Sequence, residues 1–383
     1  MRFGWQRTSR LGSRVCATTL LVAALAGGAG SAWGSVPGPV VKLVPGTSEL
    51  LGVGCTPGRV CVATSILPDL NLEAFPLTVH GDKVKIGSGV FGGESGAVAC
   101  PTASLCESVG GQGFVDPIAV GPSGLTPEPG VRFKHAHHFL LEGIACPTAN
   151  TCVVVGLQRP ASTSVAVVAE LRVTGSQTVL GEPVTVPGAY DLAAIACPTA
   201  TSCVASGQTS GVLAKGKKAA IVVIDVGSSH LSVGPVQQVK GAFALQGVAC
   251  TTSQRCLAVG FDYPVTDGGF LAVTVGATLK GTTLSVGVPA MLSGFESSLL
   301  GAVACPTTTL CQATGFWSKG NGTIFGVVPV TDGHDGPALG TPEKVPGISF
   351  TSIADIVCPK AQICVAVGAQ DSTGAVATFT PVP

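Results

Sequence analysis

The chain has 383 residues, of which 11% are charged and 46% hydrophobic, with 53 glycines, 27 prolines and 15 cysteines. So little charge beside so much apolar content excludes a disordered polyelectrolyte, and this density of Gly and Pro excludes a long-helix protein. Basic and acidic residues balance at 21 each, which leaves no cationic surplus to hold nucleic acid.

The first segment reads as an export signal over residues 1–34. Arg2, Arg7, Arg10 and Arg14 form a basic start without an acid, and the apolar run Val15 to Ala29 ends in small residues through Ser35. Its 15 positions fall short of the roughly 20 that a membrane span needs. Cys16 lies at the start of the apolar run and not after its core, so it is misplaced for a lipid anchor. Cleavage after Gly34 leaves 17 basic and 21 acidic residues, a formal charge of −4, and no membrane span in the mature chain. The expected location is outside the cell or on the exterior of its envelope.

Beyond the signal, fourteen cysteines form seven pairs: Cys55 and Cys61, Cys100 and Cys106, Cys146 and Cys152, Cys197 and Cys203, Cys250 and Cys256, Cys305 and Cys311, Cys358 and Cys364. Five residues separate the members of each pair, and successive first cysteines lie 45 to 55 residues apart. Insertions therefore fall between motifs and never inside them. Pro follows the first Cys in five copies, and Gly stands four residues after the second Cys in six, with Ser65 in the first. In the third unit, an apolar strand at 141–146 meets the turn chemistry of Pro-Thr-Ala-Asn-Thr. A β-branched strand follows at 152–156, a third near 165–173 and a fourth near 179–186.

Four strands per 45–55 residues is the period of a propeller blade. The expected fold is all-β, a seven-bladed propeller over residues 35–383 with four antiparallel strands per blade. The blades fall near 50–92, 93–134, 135–188, 189–241, 242–294, 295–347 and 348–383. Residues 40–46 read like a fourth strand with no unit before them, while the last unit ends after its third strand near 375–380. Placing 39–44 beside 375–380 closes the ring and covers two open edges.

The repeated Cys-Pro-Thr-x-x-x-Cys-x-Ala-x-Gly motif resembles that of the secreted bacterial propellers of the WD40/YVTN/BNR-like superfamily. The resemblance spans essentially the whole mature chain and implies a fold rather than a chemistry. Sialidase-like relatives carry a Ser-x-Asp-x-Gly-x-Thr-Trp box that this sequence lacks.

Within such a blade the two cysteines oppose each other across the first and second strands, about 4.5–5.5 Å apart at Cα and within disulfide reach. Closing a seven-residue loop stabilises by at most about 2–2.5 kcal/mol per bridge. Zinc is the competing use. Seven paired sites would need fourteen further ligands, and the chain holds six His. The cysteines read as structural, and no cofactor is expected.

Two residues before each first Cys stands Val or Ile, and three before it stands Gly or Ala in six units. These inner strands converge on the axis, so one face must be thin. Asp355 breaks the rule, and a carboxylate there is either solvated in the channel or paired with a ligand or cation.

Recognition residues are expected on the face opposite the cysteine turns. Arg132, Lys134, His135, His137 and His138 cluster there before the third unit. Two same-side His can begin a metal site but need a third ligand from elsewhere, so solvated loop residues are the alternative. Asp262, Tyr263 and Asp267 follow the second strand of the fifth unit, and Trp317 and Lys319 that of the sixth. Their rings could offer sugar platforms or simply anchor loops. The Asp-Gly pairs at Asp267 and Asp332 resemble hairpin turns rather than calcium loops. No Gly-x-Ser-x-Gly elbow, phosphate loop or His-Glu-x-x-His is present. The resulting expectation is a monomeric, non-catalytic extracellular module that binds a protein or glycan. The runner-up is a hydrolase or lyase on the loop face, with a metal at His135 and His137 or at Asp355.

Overall fold

The computed structural model describes residues 40–381, apart from 59, 68–71, 82, 93–95, 135–137, 160–163, 176, 211–217, 228–229, 265–268, 321, 334–335 and 346–349. The expected signal over residues 1–34 lies outside the described residues. Residues 37–383 form one compact unit. It is an all-β ring of seven blades, each a sheet of four antiparallel strand positions, with no helix among the described residues.

The third blade shows how the sequence builds a unit. Phe139–Thr148 is the inner strand, Thr151–Gln158 the second and Val165–Thr174 the third. Thr174 pairs with Gln177, so the connecting turn has two central residues. Gly175 takes φ +64° there, the left-handed backbone that two-residue hairpins demand. The fourth position departs from expectation, because it is a broken ribbon. Gln177–Leu180 and Val184–Val186 both pair with the third strand, separated by Gly181, Glu182 and Pro183. Gly181 N donates to Glu170 O at the break, and Gly87, Gly234, Gly287 and Gly340 make the equivalent bond in other blades. Pro183 lacks the N–H that a ladder bond needs and Gly181 weakens the strand, so the ladder is interrupted there.

The inner strand carries a second irregularity. In six blades its register with the second strand slips by one residue, between Leu50 and Gly52, Leu141 and Gly143, Leu192 and Ala194, Leu245 and Gly247, Leu300 and Ala302, and Ile353 and Asp355. This recurrent bulge explains the glycine of the Cys-x-Ala-x-Gly motif. A β-carbon on Gly156, Gly207, Gly260, Gly315 or Gly368 would lie 2.0–2.3 Å from an inner-strand carbonyl oxygen. The bulge pushes the inner backbone onto its neighbour, and only the missing side chain leaves room.

Seven apolar clusters, one at each seam between neighbouring blades, form the core. The second strand serves two of them by alternation. Cys61 and Ala63 pack toward Val365 and Val367 of the preceding blade, whereas Val62 packs toward Val98 and Ile118 of the following one. The inner strands approach closely, as their thin faces lead one to expect. A β-carbon on Gly52 would meet Gly96 O at 2.1 Å, and one on Gly247 the Ala302 Cα at 3.0 Å.

The ring closes as expected. Val40–Val44 pairs antiparallel with Thr373–Phe379, from Val40 opposite Thr378 to Val44 opposite Gly374, and supplies the fourth strand of the seventh blade. All seven cysteine pairs are bonded within their own blades, with Cα separations of 3.8–4.0 Å. These distances are shorter than the 4.5–5.5 Å expected. Thr56 N donates to Val60 O just beyond the first pair, which places Cys55 and Cys61 at a non-hydrogen-bonded position, where antiparallel strands come closest.

Candidate functional site

The bulges decide what faces the axis. The slipped residues Leu51, Glu142, Ala193, Gln246, Gly301 and Ala354 line a central cavity of about 530 Å3 together with the Gly, Ala and Val of the inner strands. Glu142 and Asp355 are its acidic members, and no Lys, Arg or His lines it among the described residues.

Asp355 has a definite structural task. One carboxylate oxygen accepts from the backbone N–H of Val53 at 2.9 Å, and the other from its own neighbour Ile356 N–H at 2.7 Å. Val53 belongs to the first blade, so this carboxylate ties the last blade to the first across the closing seam. Ser352 and Glu49 bond across the same seam. Burial pushes the Asp355 carboxyl up to about 6, against the two N–H donors that pull it down. Of the two expected roles, solvated lining and ligand contact, the structure adds a third, that of a latch.

Glu142 was not singled out by the sequence. Burial raises its carboxyl, and the negative charge of Asp191 adds to the effect while Arg159 opposes it. Asp191 is itself buried and raised by burial, and it is held by Gln208, whose Nε2 donates at 2.8 Å and whose backbone N–H donates at 3.2 Å. The signal for Glu142 was present in the repeat. Four residues before the first Cys the other units carry Leu51, Gly96, Ala193, Gln246, Gly301 and Ala354. That column has no meaning until the bulge turns it toward the axis.

A second concavity lies on the loop face between the second and third blades. It measures about 550 Å3 and is lined by Arg132, Lys134, His138, Gln158 and Glu182 around an apolar floor that includes Phe133 and Phe139. Those two rings are buried and stacked at 4.9 Å. The structure therefore unites Arg132, Lys134 and His138, while His135 and His137 lie outside the described residues. Among the described residues no cluster of three or more His, Cys, Asp or Glu could hold a metal ion.

The aromatic candidates serve the core. Trp317 is 4% exposed and packs against Phe295 in the seam between the fifth and sixth blades, with ring centroids 6.3 Å apart. Gly326 makes room for it, since a β-carbon there would lie 2.6 Å from the indole. Tyr263 is half-buried and leans on Phe270 at 5.5 Å, within an aromatic group that includes Phe261 and Phe243. Asp262 is half-buried at the end of its strand, opposite Leu271. Asp267 falls outside the described residues. Asp332 does sit in a hairpin, opposite Pro337, and it also clamps a seam. Arg255 reaches it with Nη2 at 2.5 Å and Nε at 3.1 Å, and Thr251 Oγ1 donates to it at 2.7 Å.

No protein-family model matches the sequence, and no curated protein sequence is significantly similar to it. Among solved structures the chain is similar to Sqt1 of Chaetomium thermophilum, with a TM-score of 0.53 over 88% of this chain and 96% of that one, at 12% identity. At that identity the likeness speaks for the fold alone: this chain is a seven-bladed β-propeller with a disulfide pair repeated in every blade.

Proposed function

We propose that the protein is an exported propeller, of the secreted bacterial WD40/YVTN/BNR-like kind, that acts outside the cell as a non-catalytic binding module. The observation that carries this reading is the pairing of all fourteen repeat cysteines within their blades. Such bridges persist in oxidising compartments and are rare in a reducing cytosol. Local bridges also hold each blade stiff, so the ring presents its loop face as a fixed surface. Fixed surfaces lose little entropy on binding, which suits recognition of a protein or glycan by a monomer. No helix among the described residues is long and apolar enough to cross a membrane.

The test is expression of the full chain with its own leader in a bacterial host. The mature protein is expected outside the cytoplasm, starting at Ser35 by mass spectrometry and showing no free thiol. An intracellular protein carrying many free thiols would overturn the reading.

A further inference from the structure

We propose that the cleft between the second and third blades binds an acidic saccharide, with Arg132 and Lys134 taking its anionic group. This deepens the binding-module reading and rests on it.

The cleft is built from pinned backbone. Val131–Arg132 pairs with Phe114 and Val115, and Phe133 N donates to Gly113 O. Across the seam, Arg159 N donates to His138 O at 2.8 Å, and Phe139 pairs with Gln158. Phe133 and Phe139 then stack beneath the opening and lock the two blades together there. The cationic side chains rise from this floor. The Arg132 guanidinium lies over the Phe114 ring, 5.7 Å from its centroid, which limits its freedom without neutralising it. Neither Arg132 nor Lys134 forms an ion pair among the described residues; those pairs are Arg172 with Glu170 and Arg255 with Asp332. Two cations that line one cleft and form no ion pair among the described residues are a standing attraction for an anion.

The lining argues for a sugar as the carrier. Gln158 and the Glu182 carboxylate share the lining with the cations. A ligand charged all over would be repelled by Glu182, whereas one with a single anionic end and several hydroxyls would find an acceptor there. Apolar surface from Leu180 and Pro183 suits the C–H face of a pyranose. A space of about 550 Å3 falls within the range of small-molecule sites and admits one or two sugar units.

The experiment is calorimetric titration of the full mature protein with a trisaccharide of one terminal uronic acid and two neutral sugars, with its carboxyl-reduced neutral counterpart and with a tetraglutamate peptide. The trisaccharide is expected to bind at least about tenfold more tightly than either comparator. Arg132→Gln and Lys134→Gln should each weaken it about tenfold, in the range of one charged hydrogen bond. Lys280→Gln, exposed on the fifth blade and outside the cleft, should leave affinity unchanged, and melting temperatures of the variants check that the fold persists. Titration should also shift the His138 ring resonances. Equal affinity for the neutral sugar, preference for the peptide, no binding at millimolar concentration, or indifference to both cleft variants would each overturn the assignment. These failures are separable from failure of the wider reading. An exported, fully bridged protein that ignores the trisaccharide loses this site alone, whereas a reduced cytoplasmic protein loses both.

Discussion

Glu107 occupies a place where the repeat otherwise puts hydrophobes. The residue after the second Cys is Val62, Val153, Val204, Leu257 and Val365 in five blades, and Glu107 and Gln312 in the other two. That position faces the following blade, and Glu107 is fully buried in it. One of its oxygens accepts from Thr178 Oγ1 of the third blade at 2.5 Å, and the other has no hydrogen-bond partner among the described residues. Burial pushes its carboxyl from 4.5 to about 7, the Thr178 bond opposes, and the nearby Asp116 charge adds to the rise. The folded state therefore holds this proton more tightly than the unfolded chain does. Its contribution to stability is full below about pH 4.5 and declines as pH climbs through about 7, by on the order of 3 kcal/mol at most. Asp355, raised from 3.8 to about 6, acts in the same direction. Glu142, raised by burial to about 8, adds a third contribution of the same sign. Thermal melts should give a higher midpoint at pH 5 than at pH 7.5, and Glu107→Gln should remove about a third of that difference by raising the midpoint at pH 7.5. A wild-type midpoint that is flat or rising over this interval would refute the burial argument. Asp355→Ala strands two backbone N–H groups at the closing seam and should cost roughly 1–3 kcal/mol in chemical denaturation. An unchanged midpoint would show that channel water replaces the carboxylate fully.

At the scale of the strand, the motif glycine and the inner-strand bulge are one device. Gly260→Ala would place a methyl group 2.1 Å from Ala244 O, so the bulge must shift. The expected loss is roughly 1–3 kcal/mol, as for an overpacked core. Gly322→Ala, with nothing within 4 Å of its β-carbon, is the control and should be close to neutral. Equal midpoints for the two variants would deny the bulge its role. The strand order, the hairpin at Asp332 and the local pairing of cysteines were legible in the sequence, because each depends on residues a few positions apart. The bulge was not, since its only trace is a glycine across the hairpin that reads as an ordinary strand stop. The break in the outer ribbon was hidden for a related reason: Gly181, Glu182 and Pro183 interrupt an edge whose two halves share one partner. Seam contacts such as Arg255 with Asp332, 77 residues apart, depend on packing that periodicity does not encode.

For the molecule as a whole, closure is what converts seven hairpin pairs into a single surface. The spare strand at one end and the missing strand at the other made closure readable from the sequence. The site was readable only in part. Arg132, Lys134 and His138 stood out as a cluster, but Glu142 and the Asp355 latch emerged only once the inner strands were bent toward the axis. Every seam supports its neighbours, so losing one strand exposes two clusters, including the one where Val44 and Leu50 meet Val376. Hydrogen–deuterium exchange of the oxidised mature protein, followed by peptide mass spectrometry over residues 40–44, tests this closure most directly. Slow exchange comparable with that of Thr373–Phe379 is expected, because the two segments share one hydrogen-bonded ladder. Complete exchange of residues 40–44 within seconds, with Thr373–Phe379 still protected, would contradict the closed ring.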